Sequence, residues 1–464
     1  MSSSVLKALV IALSVIGINK LDFGQQEEPT ADLYKYWRCE ITFNDVMGPF
    51  TTFLTFTTSG VSGYEAHSAP DADVRISGWT RSKLGRLFNK SPKKGVFLHI
   101  SNGRIIPKKT YDSLTGEITL PMLGQMEFGA RLSENTLDGF ILENDAVVGT
   151  ITGTQTDIDS RINLTQLAHD IVDTTAEYLF DPDYLQHRKW KKFKKYMIGL
   201  SQKATDDIEF FFGFNIAAKK LPFSHYNLFL FPKAPEQDFD DSTQSIFFSR
   251  ENDETAYLEI LNFGGSAAEM DSVFKLLFDG EYKNLIIDLR SNSGGGITSA
   301  IPFAEHLVND TINAGVFLTK KWFGKHPGEP HPDSLHDIPA TTARTTTQLI
   351  SELKTSEGRR LVIEPTEQTF HGNIFILVDK FTASTCEPIA YALKKYRKAT
   401  VVGQETSGAM LSAAPIHVGG KYYLFMPIAD YYTSDGQRLD QKGVKPDIRL
   451  RSEDALEYVM ENLI

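Results

Sequence analysis

The sequence predicts an α/β domain with a largely parallel sheet, preceded by a small antiparallel all-β domain. Two observations on the 464-residue chain support this division. From about residue 34 to 156, short β-rich runs recur at close spacing and are separated by turns such as Asn102-Gly103, which is typical of a small sandwich or barrel. After residue 163 the hydrophobic period becomes helical, and strands then alternate with helices, which indicates a largely parallel sheet.

The elements of the α/β part follow from apolar runs and their period. Strands are predicted at 256–260, 285–288, 374–378 and 399–402, and helices at 267–278, 297–308 and 386–396. Three further helices are predicted ahead of them, near 164–175, 187–200 and 207–220. The middle one carries the basic run 187–195 opposite an apolar face of Trp190, Phe193, Met197 and Leu200. We interpret this basic run as the solvated face of an amphipathic helix.

Composition excludes several classes of protein. The hydrophobic fraction of 41% is that of a globular chain. A net charge of −11 without a long basic tract disfavours nucleic-acid binding, because phosphates require clustered Lys and Arg. The two cysteines, Cys39 and Cys386, exclude a disulfide scaffold and a cysteine-rich zinc site, and they leave a single disulfide open.

The N-terminus carries Lys7 followed by an apolar run over residues 8–18. This run is too short to span a bilayer and resembles a secretory signal, although a buried N-terminal helix is the alternative. We therefore expect residues 1–24 to be a signal peptide and the protein to be exported to a periplasmic or extracellular compartment. No other segment is long and apolar enough to cross a membrane, so we expect the protein not to be membrane-spanning. The accessory β-rich domain is assigned to 32–156 and the α/β domain, with its helical lead-in, to 160–464.

Ser384 is the first candidate for chemistry. It follows the predicted strand 374–378 and precedes the helix that begins near Cys386, with Pro388 suited to the first helical turn. Unpaired N–H groups at a helix N-terminus stabilise developing negative charge, which suits a nucleophile beside an oxyanion hole. The alternative is an ordinary helix N-cap.

A glycine-rich turn is the second candidate. A buried strand ends at Asp288 and is followed by Arg290, Asn292 and three consecutive glycines at 294–296. Glycines allow backbone N–H groups to approach a ligand closely. A phosphate loop is disfavoured because the Gly-Lys-Ser/Thr ending is absent, and a simple tight turn remains the alternative.

Two further segments offer a general base and a carboxylate. Ser224-His225 lies after the predicted helices, and Asp440 lies near the C-terminus, where a surface turn is the alternative. His225 is one of 11 histidines, so the residue type alone decides little. Residues 320–347 are predicted to form a long loop, for which a lid is one interpretation. Its histidines and aspartates, His326, His331, His336, Asp333 and Asp337, match no metal-ligand spacing, so we expect no metal there.

Together these segments resemble the C-terminal-processing (tail-specific) serine peptidase family, and they are most similar to its tricorn-core-like branch, which uses a His base. The family's Asp-x-Arg-x-Asn-x-Gly-Gly run matches 288–295, and its Thr-Ala-Ser-x-x-Glu run matches 382–387. Its Ser-His segment resembles 224–225, and its acidic-x-x-Gly-Val-x-Pro-Asp ending resembles 440–447. The resemblance covers about residue 185 to the C-terminus and leaves out the β-rich domain.

The resemblance implies an α/β catalytic domain of the ClpP/crotonase-like type, acting on peptides or unfolded proteins without a metal or cofactor. It implies a Ser-His-Asp arrangement in which Ser384 is the nucleophile, His225 the base and Asp440 its orienting carboxylate, with Ser224 assisting. Backbone N–H groups of Gly294 or Gly295 and of Thr385 would bind the oxyanion. Activity should then rise with pH through the pKa of a histidine, about 6.5 when unperturbed.

The sequence departs from the family pattern in three places. The turn at 403–410 has no Lys for the Ser-Lys dyad that many members use, Asp440 replaces a longer Glu, and no PDZ-like segment is evident between His225 and Asp288. Two rival functions remain. One is a non-catalytic ligand-binding protein on the same fold. The other is a cysteine hydrolase using Cys386, although that residue shares a helix face with Ile389 and Leu393 and is expected in the core.

Overall fold

The computed structural model describes residues 33–34, 36–43, 47–59, 63–68, 98–108, 110–120, 123–156, 162–231, 244–326 and 328–464. The predicted signal peptide at 1–24 lies outside these ranges. Within them, no helix is long and apolar enough to cross a membrane.

The N-terminal part is a closed antiparallel barrel in which eight strands follow one another in chain order and the last pairs with the first. Residues alternate between the interior and the outer surface, so that Trp37, Cys39 and Ile41 of the first strand are fully buried. Closure leaves no unpaired sheet edge, and inward side chains fill a barrel of this size. The strands are β1 (Tyr36–Phe43), β2 (Met47–Thr58), β3 (Gly63–Ser68), β4 (His99–Pro107), β5 (Asp112–Leu120), β6 (Gly124–Ser133), β7 (Thr136–Glu143) and β8 (Ala146–Thr156).

Three helices follow the barrel, as the sequence predicts: α1 (Thr165–Tyr178), α2 (Arg188–Ser201) and α3 (Asp207–Ala218). In α2 the residues Trp190, Phe193, Met197 and Leu200 are buried, whereas most of the basic residues between them are exposed. The interpretation of the basic run as the solvated face of an amphipathic helix is therefore confirmed. Helix α3 is buried along almost its whole length, because it lies between the barrel and the rest of the chain.

Two adjacent buried carboxylates join the barrel to α3. The Thr51 amide donates to Asp207 at 2.7 Å, and the Thr52 hydroxyl donates to Asp206 at 2.6 Å. The Lys421 ammonium bridges Asp207, at 2.5 Å, and the barrel hydroxyl of Thr51, at 3.0 Å. Buried charges persist only when paired and hydrogen-bonded, so these contacts fix the barrel against α3 and the sheet that carries Lys421.

The α/β part contains a six-stranded sheet of order β10-β11-β12-β15-β16-β19, in which all neighbours except β10 and β11 are parallel. The strands predicted from the sequence are present in it. The carboxyl ends of β12 and β15 lie side by side, since Asp288 pairs with Leu377. Loops that leave parallel strands at this edge form ligand sites in open α/β sheets. The strands are β10 (Ile246–Asn252), β11 (Thr255–Ile260), β12 (Asn284–Asp288), β15 (Asn373–Val378), β16 (Thr400–Gly403) and β19 (Ile448–Arg449).

A second sheet, antiparallel and five-stranded, was not anticipated from the sequence. Its order is β14-β13-β18-β17, and β9 pairs with β18. It matters for the site because β9 begins two residues after His225, and β17 begins directly after the turn at 403–410. The strands are β9 (Asn227–Leu230), β13 (Ile312–Thr319), β14 (Gly358–Ile363), β17 (Leu411–Gly419) and β18 (Tyr422–Tyr432).

The remaining helices are α4 (Ala267–Phe278), α5 (Ile297–Glu305), α6 (Lys320–Phe323), α7 (Thr346–Thr355), α8 (Cys386–Arg397) and α9 (Ala455–Asn462). The segment predicted as a long loop, 320–347, contains only the short α6, a 3₁₀ turn at Pro332–Leu335 and the start of α7. Among the described residues, no group of three potential metal ligands forms in this segment.

Candidate active site

Ser384 occupies a sharp turn between β15 and α8. Its φ of 54° lies in the left-handed region, which costs a residue with a Cβ about 1–3 kcal/mol and is common at active sites. The side chain is partly exposed, although its neighbours Ala383 and Cys386 are buried. The turn therefore presents a single hydroxyl at the amino end of a helix, as the sequence predicts.

Three hydrogen bonds hold this turn against the loop that follows β12. The Thr382 hydroxyl donates to the Leu289 carbonyl at 2.7 Å, and the Ala383 amide donates to the Asn292 carbonyl at 3.0 Å. The Thr385 hydroxyl donates to a third carbonyl in that loop, of Gly295, at 2.6 Å. The two motifs, which are about 90 residues apart in sequence, thus form one rigid unit at the edge of the sheet.

Gly294 makes this close approach possible. A Cβ at Gly294 would lie 2.6 Å from the Ser384 Cβ and 3.0 Å from the Thr385 nitrogen, and its φ is +102°. Its own N–H donates to the Asn292 side chain at 2.8 Å. Among the described residues, the N–H groups of Gly295 and Thr385 have no hydrogen-bond acceptor. Of the two glycine donors considered from the sequence, Gly295 is therefore the one with a free N–H, whereas Gly294 provides the space.

Asp288 and Arg290 of the same motif hold the strand end in place. The Arg290 guanidinium binds the buried Asp288 carboxylate and donates to the Ser452 carbonyl at 2.7 Å. Tyr257 donates to the Oδ2 of Asp288 at 2.6 Å, an oxygen that Arg290 also binds. These residues fix the C-terminal segment and the start of the glycine turn, and none of these contacts involves Ser384.

Glu387 is a functional residue to which the sequence alone assigned no role. Its fully buried carboxylate accepts hydrogen bonds from the Ser384 amide at 3.2 Å, the Thr406 hydroxyl at 2.6 Å, and the amides of Gly408 at 2.7 Å and Ala409 at 2.9 Å. Burial raises its pKa, and these donors oppose that shift. The only sequence signal was its fixed spacing after Ser384. Glu387 organises the turn at 403–410, where the family's Lys is missing.

His225 is linked to Asp440 through the hydroxyl of Ser224. The Ser224 Oγ lies 2.7 Å from the His225 Nδ1 and donates to the Asp440 Oδ1 at 2.6 Å. A hydroxyl has one proton, so a Ser224 that donates to a carboxylate must accept from Nδ1–H. The other ring nitrogen, Nε2, then carries the lone pair. The imidazole is thereby held in the tautomer that a general base requires.

Burial lowers the pKa of His225 to about 4. This differs from the sequence-based expectation of an ordinary histidine pKa, because a charged imidazolium loses hydration in the interior. His225 also has a φ of 59°. The ring is therefore neutral, and free to accept a proton, over the whole physiological pH range.

Asp440 lies fully buried among donors. Its carboxylate accepts from the Met410 amide at 3.2 Å and the Arg438 guanidinium at 3.3 Å, in addition to Ser224. Arg438 also pairs with Asp430 at 2.6 Å. Burial raises the pKa of Asp440, while Ser224 and Arg438 act against that shift. The Asp440 side chain is one methylene shorter than the Glu of the family pattern, and the Ser224 hydroxyl bridges the carboxylate and the His225 ring.

Two consecutive amides join both halves of the site. Ala409 donates to Glu387, which holds the Ser384 turn, and Met410 donates to Asp440, which holds the base. Among the described residues, the Ser384 hydroxyl makes no hydrogen bond to the His225 ring. Catalytic hydrogen bonds are often long without substrate and tighten when it binds.

The two cysteines are buried and unpaired, so the disulfide left open by the sequence does not form. Cys386 packs in the core with its Sγ 3.6 Å from the Asn292 carbonyl, and burial raises the pKa of its thiol. A nucleophilic cysteine requires the thiolate. The prediction that Cys386 lies in the core is confirmed, and the cysteine hydrolase is disfavoured.

An apolar cavity of about 50 Å³ lies beside the Ser384 turn. Thr385 and Val308 contribute to its lining, and the remaining walls come from α5, β13, β14 and α8. Its apolar lining residues include Ala300, Ile301, Ile363, Ile389 and Ala392. The cavity has room for a small aliphatic side chain beside Thr385, the residue that follows Ser384.

Known proteins are similar to part of this chain. The model of peptidase family S41 matches residues 254–450. A Staphylococcus aureus protein named "Probable CtpA-like serine protease" is 27% identical over 194 residues, which are 42% of this chain and 32% of that protein. A tail-specific protease of Haemophilus influenzae is 26% identical over 188 residues, covering 38% of this chain and 21% of that protein.

Among solved structures, the photosystem II D1 C-terminal processing protease aligns with a TM-score of 0.41 and 14% identity, covering 63% of this chain and 94% of that one. The chain spans a third or less of the length of the two curated relatives named above. The match in sequence lies within the part that carries the glycine turn, Ser384 and Asp440. Over residues 254–450, less than half of its length, this chain is similar to peptidase family S41.

Proposed function

We propose that this protein is a serine-type peptidase that hydrolyses peptide bonds, with Ser384 as the nucleophile and His225 as the base. The observation that carries the proposal is the chain of hydrogen bonds from Asp440 through Ser224 to His225, which leaves Nε2 unprotonated. The fold class proposed with it is the ClpP/crotonase-like type, and the proposed substrates are peptides or unfolded proteins. The decisive experiment is labelling with a fluorophosphonate followed by peptide mapping.

The proposed reaction uses these groups in two steps, acylation and deacylation. Ser384 Oγ attacks the carbonyl carbon of the scissile bond, and His225 Nε2 accepts the hydroxyl proton. The N–H groups of Gly295 and Thr385 bind the oxyanion. His225 then gives its proton to the leaving amine, and an acyl-enzyme remains on Ser384. Water, deprotonated by the same nitrogen, releases the acid and restores the serine.

Two observations favour catalysis over ligand binding on the same fold. The left-handed conformation of Ser384 is energetically costly, and backbone strain of this kind is concentrated at functional sites such as active sites. Burying the Asp440 carboxylate also costs free energy unless it is paired, and through Ser224 this carboxylate fixes one tautomer of His225. A ligand-binding protein needs neither feature.

Ser224→Ala tests the relay through the hydroxyl. We expect kcat/KM to fall by about 10²–10³ with KM little changed, because His225 loses the acceptor that fixes its tautomer. Ser224→Thr keeps a hydroxyl and should restore most of the rate. The exposed Ser249→Ala, on β10, is the matched control. Steady-state kinetics on one peptide measures all three, and a fully active Ser224→Ala enzyme would remove Ser224 from the proposal.

Asp440→Asn should also lower kcat/KM, but by less than the loss of Ser384 or His225. An orienting group holds the tautomer and does not take the proton itself. If Asp440→Asn is folded by circular dichroism and fully active, the orienting role belongs to Ser224 alone.

The cavity beside Thr385 leads us to propose a small aliphatic residue on the amino side of the scissile bond. Ala300 lines this cavity, so Ala300→Leu should fill much of it. We expect cleavage after Val to fall about tenfold relative to cleavage after Ala, since one or two methylenes in such a pocket change selectivity by that order. Competition assays with two peptides measure the ratio, and Ala268→Leu, on the exposed face of α4, is the control. An unchanged Val/Ala ratio in Ala300→Leu would exclude this cavity as the specificity pocket.

A further inference from the structure

Three potential metal ligands lie together on the outer wall of the barrel, outside the peptidase family domain. Glu65 and His67 are two residues apart on β3 and point to the same face. His99 on β4 is the direct cross-strand partner of His67. Side chains opposite each other on neighbouring strands have Cβ atoms about 4.5–5.5 Å apart, which brings two imidazoles within reach of one ion.

The distances are close to those of a tetrahedral zinc site. The Glu65 Oε2 lies 3.7 Å from the His67 Nε2 and 3.9 Å from the His99 Nε2. Bonds of 2.0–2.2 Å in a tetrahedral centre separate ligand atoms by about 3.4 Å. The Glu65 oxygen therefore needs to approach each histidine by only about half an ångström, and the three ligand atoms all lie within 4.8 Å of one another. The rings lie parallel, 4.5 Å apart, and one must turn for both planes to meet at an ion, which their partial exposure permits.

The cluster is incompletely satisfied as it stands. Among the described residues, the buried His67 Nδ1 and His99 Nε2 have no hydrogen-bond partner. Buried polar atoms without partners are rare and call for an explanation, of which an ion is one.

We propose that Glu65, His67 and His99 bind one divalent transition-metal ion, with Zn²⁺ as the favoured ion and water at the fourth position. Two imidazoles and one carboxylate are a ligand set that zinc accepts, whereas Mg²⁺ and Ca²⁺ prefer oxygen ligands alone. The ion would clamp β3 to β4 on the barrel. The site is independent of the Ser384 chemistry, so neither proposal depends on the other.

The test uses the full chain, freed of any histidine tag and stripped with a chelator. Zn²⁺ is titrated by isothermal calorimetry, and Co²⁺ serves as a spectroscopic probe of tetrahedral coordination. The variants are the double change His67→Asn with His99→Asn, and the single change Glu65→Gln. The control is the double change His371→Asn with His417→Asn, two exposed histidines outside the cluster.

We expect one Zn²⁺ per chain, visible bands of tetrahedral Co²⁺, and a rise in Tm on adding Zn²⁺. The double variant should lose all three, and the control should keep them. Glu65→Gln should weaken binding at least about tenfold, since even the loss of a group that orients a ligand costs that much. Glu65→Gln leaves both rings in place, so it provides a second test if the double variant is unfolded by circular dichroism. No Zn²⁺ binding by the parent chain, or equal affinity in the double variant or in Glu65→Gln, would overturn the proposal.

Discussion

Ser384→Ala is expected to abolish fluorophosphonate labelling and to lower peptide hydrolysis by about 10⁴ or more. The reagent forms a bond from Ser384 Oγ to phosphorus and expels fluoride, so removal of the hydroxyl removes the only atom that can react. The loss should appear in kcat, because Ser384 contributes to the transition state more than to substrate binding. Labelling is read by mass spectrometry of the modified peptide, and turnover by release of the product amine.

Two controls separate nucleophilicity from proximity. Cys386→Ala changes the only thiol beside the turn and should leave labelling intact, because that thiol is buried. Ser407→Ala changes an exposed serine in the turn that Glu387 organises. Labelling that persists in Ser384→Ala, or that disappears in Cys386→Ala while the protein remains folded, would contradict the assignment of Ser384.

His225→Ala should lower kcat/KM by about 10⁴, without unfolding the protein, because the variant lacks the imidazole proposed to take the Ser384 proton. The exposed His417→Ala is the control and should be fully active. A folded His225→Ala enzyme with near-normal turnover would exclude the proposed Ser-His mechanism.

The pH dependence gives an independent readout of the same residue. Protonated His225 cannot accept a proton, so kcat/KM should rise as pH increases through its pKa in the free enzyme and then level off. Since burial lowers this pKa to about 4, the rise should be complete well below the 6.5 of an ordinary histidine. We expect a flat profile between about pH 6 and 8, measured with a pH-stable peptide substrate. A midpoint near 6.5 would mean that His225 is solvated in the working enzyme.

The local sequence carried most of the information about the individual elements. Hydrophobic period and turn residues were enough to predict the parallel strands, the helices that flank them and the amphipathic face of α2. The second sheet was missed because, apart from the β17–β18 hairpin, its antiparallel strands pair across long separations, as β13 does with β14 and β18 and β9 does with β18. Such pairings leave no periodic trace in one segment that identifies its partner.

In the barrel, too, the sequence predicted the strands but not how they pair. Short alternating runs predicted many antiparallel strands, but closure depends on β1 pairing with β8, more than 100 residues away. Both a sandwich and a barrel satisfy the same alternation. The cluster of Glu65, His67 and His99 depends in the same way on the pairing of β3 with β4, since nothing in the spacing of 67 and 99 indicates cross-strand neighbours.

At the site, the residue types and the local conformations could be predicted from the sequence alone. They are a serine on a strand-to-helix turn, a glycine-rich turn after a buried strand, and a histidine preceded by a serine. Local backbone preferences fix these features, because they act over a few neighbouring residues. Which of these residues lie together depends on the tertiary structure. In the folded chain, Ser224 lies between Asp440 and His225, and Gly294 leaves the space for the Ser384 turn. Glu387 binds the turn at 403–410, and burial lowers the pKa of His225. Each of these depends on burial and on contacts between distant segments, and both arise only when the chain is folded.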